Sequence, residues 1–186
     1  MQQLLAWPSR LPAPLGEALA ALQSRSEQRI QAASADEVRA HVEQSTAVVL
    51  FPDAAVAVGA ASHEEVIRLI ADLGAIADLN IVAVVSDAYL GNDVADIATP
   101  ATAAAVVSAV RSIAVRQGAT TRANVVCVPA GMVSEAGSQR GAMTRPVEPG
   151  HVAATIAFLT DPANSYISGQ VVFVDAGRHM FSSMTA

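Results

Sequence analysis

The C-terminal third of the chain carries Glu148-Pro-Gly-His-Val-Ala-Ala-Thr-Ile-Ala-Phe-Leu-Thr-Asp-Pro-Ala-Asn-Ser-Tyr-Ile-Ser-Gly-Gln-Val-Val-Phe-Val-Asp-Ala-Gly177, and the reading of this stretch decides the fold. Val152, Ile156, Ala157 and Leu159 recur at helical spacing, Glu148-Pro149 supplies an acidic start with an early proline, and Asp161-Pro162 stops the turn series. These signals predict a helix over 150–160. The polar segment Asn164–Gly169 reads as a turn, and Gln170-Val-Val-Phe-Val-Asp175 as a strand, since a β-branched and aromatic run of that length is too short for a helix.

The same alternation extends toward the N-terminus. Leu4–Trp7 predicts a first strand and Leu15–Leu22 a helix. Gln28–Ala33 reads as a second strand, and Ser34 is a good N-cap for a helix running to Glu43. Ala47–Phe51 is a buried strand. Ser62 caps the helix His63–Leu73, whose acidic first turn suits the helix dipole. Asn80–Val85 and Ala123–Val128 are further apolar strands, separated by an alanine-rich helix over 100–117 whose small residues allow another helix to approach closely. Met132–Val147 is polar and aperiodic, and reads as a loop. Strands alternating with helices imply one α/β domain over 1–186, a doubly wound parallel sheet of about six strands covered on both faces.

Composition narrows the function classes. At 186 residues the chain can bury a sizeable core. Its mean hydropathy of +0.39 is high, yet no uninterrupted apolar run has the length of a membrane span. The excess is expected in core or subunit contacts. Net charge is −6 with the arginines scattered singly, which argues against a nucleic-acid or anionic-membrane surface. Cys127 is the single cysteine, so no internal disulfide forms, and a cytoplasmic location is expected. All eleven basic residues are arginine; there is no lysine and no Gly-x-Gly.

The closing helix, the Ser168-Gly169-Gln170 turn and the strand ending Val174-Asp175-Ala176-Gly177 resemble the short-chain dehydrogenase/reductase (SDR) family. That resemblance implies a Rossmann-like fold with one βα unit deleted near residues 25–45, since the family has seven strands. It also implies where NAD or NADP and the catalytic groups should be. The family's glycine-rich phosphate turn corresponds to Ser9-Arg-Leu-Pro-Ala-Pro-Leu-Gly16, where Arg10 and Pro14 replace the first two glycines and only Gly16 remains. This is a proline-rich turn before a helix, or a modified phosphate site with Arg10 as anion partner. The family's Asn-Asn-Ala-Gly resembles Pro52-Asp-Ala-Ala55. Asp53 there is expected to hydrogen-bond locally, and its charge would repel a pyrophosphate.

SDR chemistry uses a tyrosine as acid/base, a lysine four residues on and a serine thirteen residues before. Ser86 stands at the serine position, as a turn or cap residue or a retained ligand contact. Thr99 and Ala103 stand at the other two. Loss of the proton relay alone costs roughly two to four orders of magnitude. Tyr89 and Tyr166 have no lysine partner. His41, His63, His151 and His179 lie on separate elements, so no metal site is expected; Cys127 reads as core, and Asp87–Asp93 as a polar loop without a calcium pattern.

The residues 1–60 therefore read as an eroded nucleotide half and 80–186 as better kept. The expectation is a non-catalytic subunit that binds no cofactor itself and pairs with an active SDR paralogue, or with itself, through helices 100–117 and 150–160 and strand 170–175. The paralogue would carry NAD or NADP, as in heteromeric hydroxyacyl-CoA dehydrogenases. Two alternatives stay open: a small-ligand binder or non-redox enzyme using a pocket around Ser86, Asp87, Thr99 and Met132, and a divergent NAD(P)-dependent oxidoreductase.

Overall fold

The computed structural model describes residues 3–23, 28–90, 97–133 and 142–182. The β-branched runs form six parallel strands: β1 (Gln3–Trp7), β2 (Gln28–Gln31), β3 (Ala47–Leu50), β4 (Asn80–Ser86), β5 (Arg122–Val128) and β6 (Val171–Phe173). They lie in the order β2-β1-β3-β4-β5-β6, with Leu4 opposite Ala47, Ala47 opposite Asn80, Asn80 opposite Arg122 and Val125 opposite Val171. This is the doubly wound order with its outermost strand on the β2 side removed, so a single βα unit now leads from β1 across to β3.

Because side chains alternate along a strand, each buried strand feeds two cores. Leu5, Val48, Ile81, Ala83 and Val125 face one, together with Val38 of α2 (Ala35–His41), Leu69 and Ile70 of α4 (His63–Leu73), and Val106 and Val110 of α5 (Ala98–Gln117). Leu4, Val49, Val82, Val84 and Val126 face the other, against Leu15 and Leu19 of α1 (Ala13–Gln23) and Val152 and Ile156 of α7 (Pro149–Thr160). The continuous apolar character of β3, β4 and β5 follows from this double coverage.

Helix starts follow the sequence. Ser62 accepts the Glu65 N–H at 3.2 Å while Glu65 Oε2 takes the Ser62 N–H at 2.7 Å, a capping box. Ser34 caps α2 through the Glu37 N–H. That helix ends at His41 rather than Glu43, and a 3₁₀ turn carries the chain through Gln44. β6 is also shorter than the expected 170–175. Two short helices replace expected turn or loop: α3 (Pro52–Ala57) and α6 (Ala130–Val133), the latter absorbing Met132. A last turn of helix, α8, spans His179–Ser182.

α5 is long and apolar enough to cross a membrane by length and composition. Here its Thr102, Ala103, Val106, Val110 and Ile113 face is buried, and the helix packs on β4, β5, α3 and α4.

The segment after α7 is pinned to the sheet by Asn124 in β5. Its Nδ2 donates to the Ile167 carbonyl at 2.9 Å and its Oδ1 accepts the Gln170 N–H at 3.1 Å. Both backbone groups lose their partner in Asn124→Ala, so the variant should be less stable by roughly 2–4 kcal/mol in urea unfolding. A loss under about 0.5 kcal/mol would mean the turn is held by other contacts.

Candidate functional site

In a doubly wound sheet, ligands bind outside the carboxyl ends of the strands, where strand order reverses. Here that point lies between β1 and β3, so the residues following these strands and β4 form the candidate site. Ser9 and Arg10 follow β1 and are exposed. Pro12 accepts the Gly16 N–H at 2.9 Å and thus stands at the start of α1. The first four N–H groups of a helix ordinarily point outward unpaired. In α1 these fall to Pro12, Ala13, Pro14 and Leu15, and the two prolines have none. The glycine-poor turn foreseen from the sequence is therefore also depleted in donors.

After β3 the chain enters α3 at once, with Pro52 at its first position, where proline's fixed φ favours a helix. Pro52, Asp53, Ala54 and Ala55 are all buried. Ala54 packs in one core and Ala55 in the other. The helix contacts α5 on one face of the sheet and α6 on the opposite face. It thus lies across the ends of the strands at the switch point.

Asp53 does not act locally, contrary to the sequence expectation. Its Oδ2 accepts the Ser86 N–H at 2.7 Å, tying α3 to the end of β4, 33 positions away. Asp53 is 2% exposed and Ser86 1%. Neither Asp53 Oδ1 nor Ser86 Oγ has a hydrogen-bond partner among the described residues. Burial pushes the Asp53 carboxyl up from 3.8 to about 6, only partly offset by the Ser86 backbone N–H and the charge of His63.

Asp87, next in the chain, ties three elements together. Its Oδ1 accepts the Ala130 N–H at 2.9 Å, and its Oδ2 lies 2.8 Å from Arg178 Nε. Burial and the neighbouring Asp175 charge raise its pKa, against the opposing pull of the Ala130 amide and Arg178. Asp175 is itself buried and accepts the N–H groups of Gly177 and His179 and the His179 Nδ1–H. The His179 ring stacks on Phe173, centroids 4.1 Å apart.

The remaining candidates are dispersed. Thr99 and Ala103 sit in the first turns of α5, with Ala103 wholly buried. Tyr89, in a 3₁₀ turn after β4, is half-buried, and its phenol is pushed up to about 12, chiefly by burial. Tyr166 is fully exposed. His63 Nδ1 meets Thr102 Oγ1, His151 accepts the Glu148 N–H, and His41 lies at the end of α2. Among the described residues no three metal-binding side chains gather. Cys127 is buried and its thiol pKa is raised by burial and by the Asp87, Asp175 and Asp53 charges.

The pocket expected around Ser86, Asp87, Thr99 and Met132 is not an opening in the described residues, since Ser86, Asp87 and Met132 expose 4% or less each. Residues 91–96 and 134–141, parts of the expected polar loops, lie outside the described residues. The Asp53–Ser86 and Asp87–Arg178 links were not legible in the sequence. One signal was available: a proline directly after a strand, followed by Asp-Ala-Ala-Val-Ala, is a helix start.

The family model described as enoyl-(acyl carrier protein) reductase matches residues 53–179, more than half of the chain. The chain belongs to the short-chain dehydrogenase/reductase family. No curated protein matches the SDR chain in sequence. Among solved structures it is similar to a short-chain dehydrogenase/reductase family protein at TM-score 0.68 and 20% identity, covering 96% of this chain and 97% of that one. A short-chain dehydrogenase/reductase (glucose/ribitol dehydrogenase) from Brucella melitensis gives TM-score 0.66 at 20% identity, with 95% of each chain covered. A structure titled ribose-5-phosphate isomerase from Brucella melitensis 16M gives 0.71 at 18% identity, covering 98% and 95%. At such identities the likeness establishes the fold, and one fold carries many activities. SDR proteins characteristically work with NAD(P).

The buried Asp53 makes stability depend on pH. Its native pKa is raised above the unfolded value, so the native state holds this proton more tightly. Its contribution is fully present below about pH 3.8 and is lost as pH rises to about 6. Asp53→Asn keeps an acceptor for the Ser86 N–H without a charge. It should stabilise the chain by roughly 1–3 kcal/mol at pH 7.5 and by little at pH 4. Paired urea titrations at both pH values check this; equal differences at the two would rule out a raised native pKa.

Proposed function

We propose that this SDR chain is a non-catalytic subunit that pairs with an active, NAD(P)-dependent SDR paralogue. The observation that carries the reading is α3 at the switch point. A dinucleotide there needs room and backbone donors. Four consecutive residues, Pro52 to Ala55, are instead buried in that place, and two donors of the neighbouring helix start are lost to Pro12 and Pro14. Asp53 adds a carboxylate where a pyrophosphate would be repelled. The residues present therefore do not fit the family's coenzyme, and no reaction step is drawn through it.

The catalytic positions support the same reading. Thr99 and Ala103 offer neither a phenol nor an ammonium, and the chain has no lysine to hold a nicotinamide ribose. Ser86, the one retained group, is packed beside Asp53.

Association is supported by what is left exposed. Phe158 on α7 is 51% exposed, Tyr166 in the following turn is bare, and Ile97 and Val115 project from the α5 region. β6 is an edge strand of the described sheet, a surface that proteins ordinarily cover or pair. These lie on the elements through which SDR subunits are expected to meet. The paralogue would hold the coenzyme, and this chain would support its active site.

Two measurements test the proposal. Titration of the purified chain with NADH, followed through the single, fully buried Trp7, should show no saturable change up to millimolar coenzyme. Co-expression with an SDR encoded beside it should yield a stoichiometric complex that binds coenzyme in the paralogue subunit alone. Tight NADH binding or turnover by the chain in isolation would overturn the proposal.

A further inference from the structure

Beyond the carboxyl end of β6 lies a cleft of about 510 Å³ that the subunit reading does not use. It is not the coenzyme crevice, since β3, β4 and β5 stand between β6 and β1. One wall is the segment 143–151, which leads into α7 and includes its first turn; the other is 173–179, the end of β6 and the tail. The Met143 N–H donates to the Ala176 carbonyl at 3.0 Å and joins the two walls. A cavity of this size falls within the range of small-molecule sites, roughly 300–1,000 Å³.

The tail wall is aromatic and fixed in shape. Asp175, 2% exposed, accepts the Gly177 N–H at 3.0 Å, the His179 N–H at 2.6 Å and the His179 Nδ1–H at 2.8 Å. The His179 ring is thereby held against Phe173, with 19° between the two planes. Ala176 has φ 56 in the turn between them, a left-handed conformation that costs an alanine energy. Strain of this kind persists where the surroundings fix it, ligand clamps among them. The opposite wall supplies charge. Arg145 and Glu148 are both exposed, three positions apart, and no ion pair joins them. His151 Nδ1 accepts the Glu148 N–H at 3.0 Å, so the neutral ring carries its proton on Nε2 and offers a second donor beside Arg145.

We propose that this cleft binds a free α-amino acid with a large apolar side chain. The Arg145 guanidinium and the His151 Nε2–H suit a carboxylate, to which charge-assisted bonds are the strong ones. The Glu148 carboxylate suits an ammonium. An α-amino acid carries both charges on one carbon, and its side chain is left to cover Met143, Val174 and the Phe173–His179 surface. A ligand of one sign only is disfavoured, because a phosphate or dicarboxylate meets Glu148 and a simple amine meets Arg145, and like charges placed together select against a partner. The site stands apart from the subunit reading and does not depend on it.

Calorimetric titration of the full chain compares L-phenylalanine with phenylpropionate, which lacks the ammonium, and phenylethylamine, which lacks the carboxylate. Phenylalanine should bind with a Kd of about 1 mM or tighter, and each truncated probe at least about fivefold more weakly. Arg145→Gln should weaken phenylalanine and phenylpropionate by at least about fivefold and leave phenylethylamine no weaker; Glu148→Gln should weaken phenylalanine and phenylethylamine and leave phenylpropionate no weaker. Both substitutions change exposed side chains, and a thermal melt verifies that each variant folds. The chain's four histidines report the site without any substitution. The imidazole C–H resonances of His151 and His179 should shift on adding phenylalanine, while those of His41 and His63 stay. No saturation by phenylalanine up to about 10 mM overturns the proposal. So do shifts confined to His41 or His63, a truncated probe that binds as tightly as the amino acid, or phenylalanine affinity unchanged in either variant. None of these results bears on coenzyme binding, which the NADH titration reads separately.

Discussion

A parallel sheet delivers every strand's carboxyl end to one side of the molecule, and the groups that arrive there must be closed off by something. In a dinucleotide-binding sheet the closure is shared with a ligand, which accepts bonds from backbone donors beside glycines. In this chain the closure is made from within. Asp53 holds the Ser86 N–H, Asp87 holds the Ala130 N–H and Arg178, and Asp175 holds the tail through Gly177 and His179. Three buried aspartates from three segments thus knit the edge where a coenzyme would be handled.

That closure is electrostatically costly, and its cost is localised. Asp53 is the most isolated of the three, held by the Ser86 N–H but facing no arginine, and its proton affinity rises accordingly. Asp87 has Arg178 within 2.8 Å and Asp175 has backbone donors and His179. A buried carboxylate without an ion pair is tolerated here because α3 needs a tie to β4. Its neighbours on α3, Ala54 and Ala55, are too small to anchor the helix by packing alone.

Groups other than these three aspartates are left exposed. The edge strand β6 is half-exposed and Tyr166 is bare, surfaces that proteins ordinarily cover or pair. The proposed assembly would cover them.

The sequence by itself determined the architecture. Apolar runs of strand length, amphipathic helices with Ser34 and Ser62 as caps, and the closing 148–177 stretch fix which segments are strands and which cover them, because these choices depend on local periodicity and backbone preference. It also determined what is missing, since the absence of lysine and of paired glycines is a property of composition. Only the tertiary structure decided how the strand ends at the switch point are closed. That Asp53 reaches Ser86, that Asp87 meets Arg178, and that the Pro52–Ala57 helix lies buried across the switch point depend on residues tens of positions apart in the chain. Buried polar atoms choose partners by proximity in space, which no local pattern encodes.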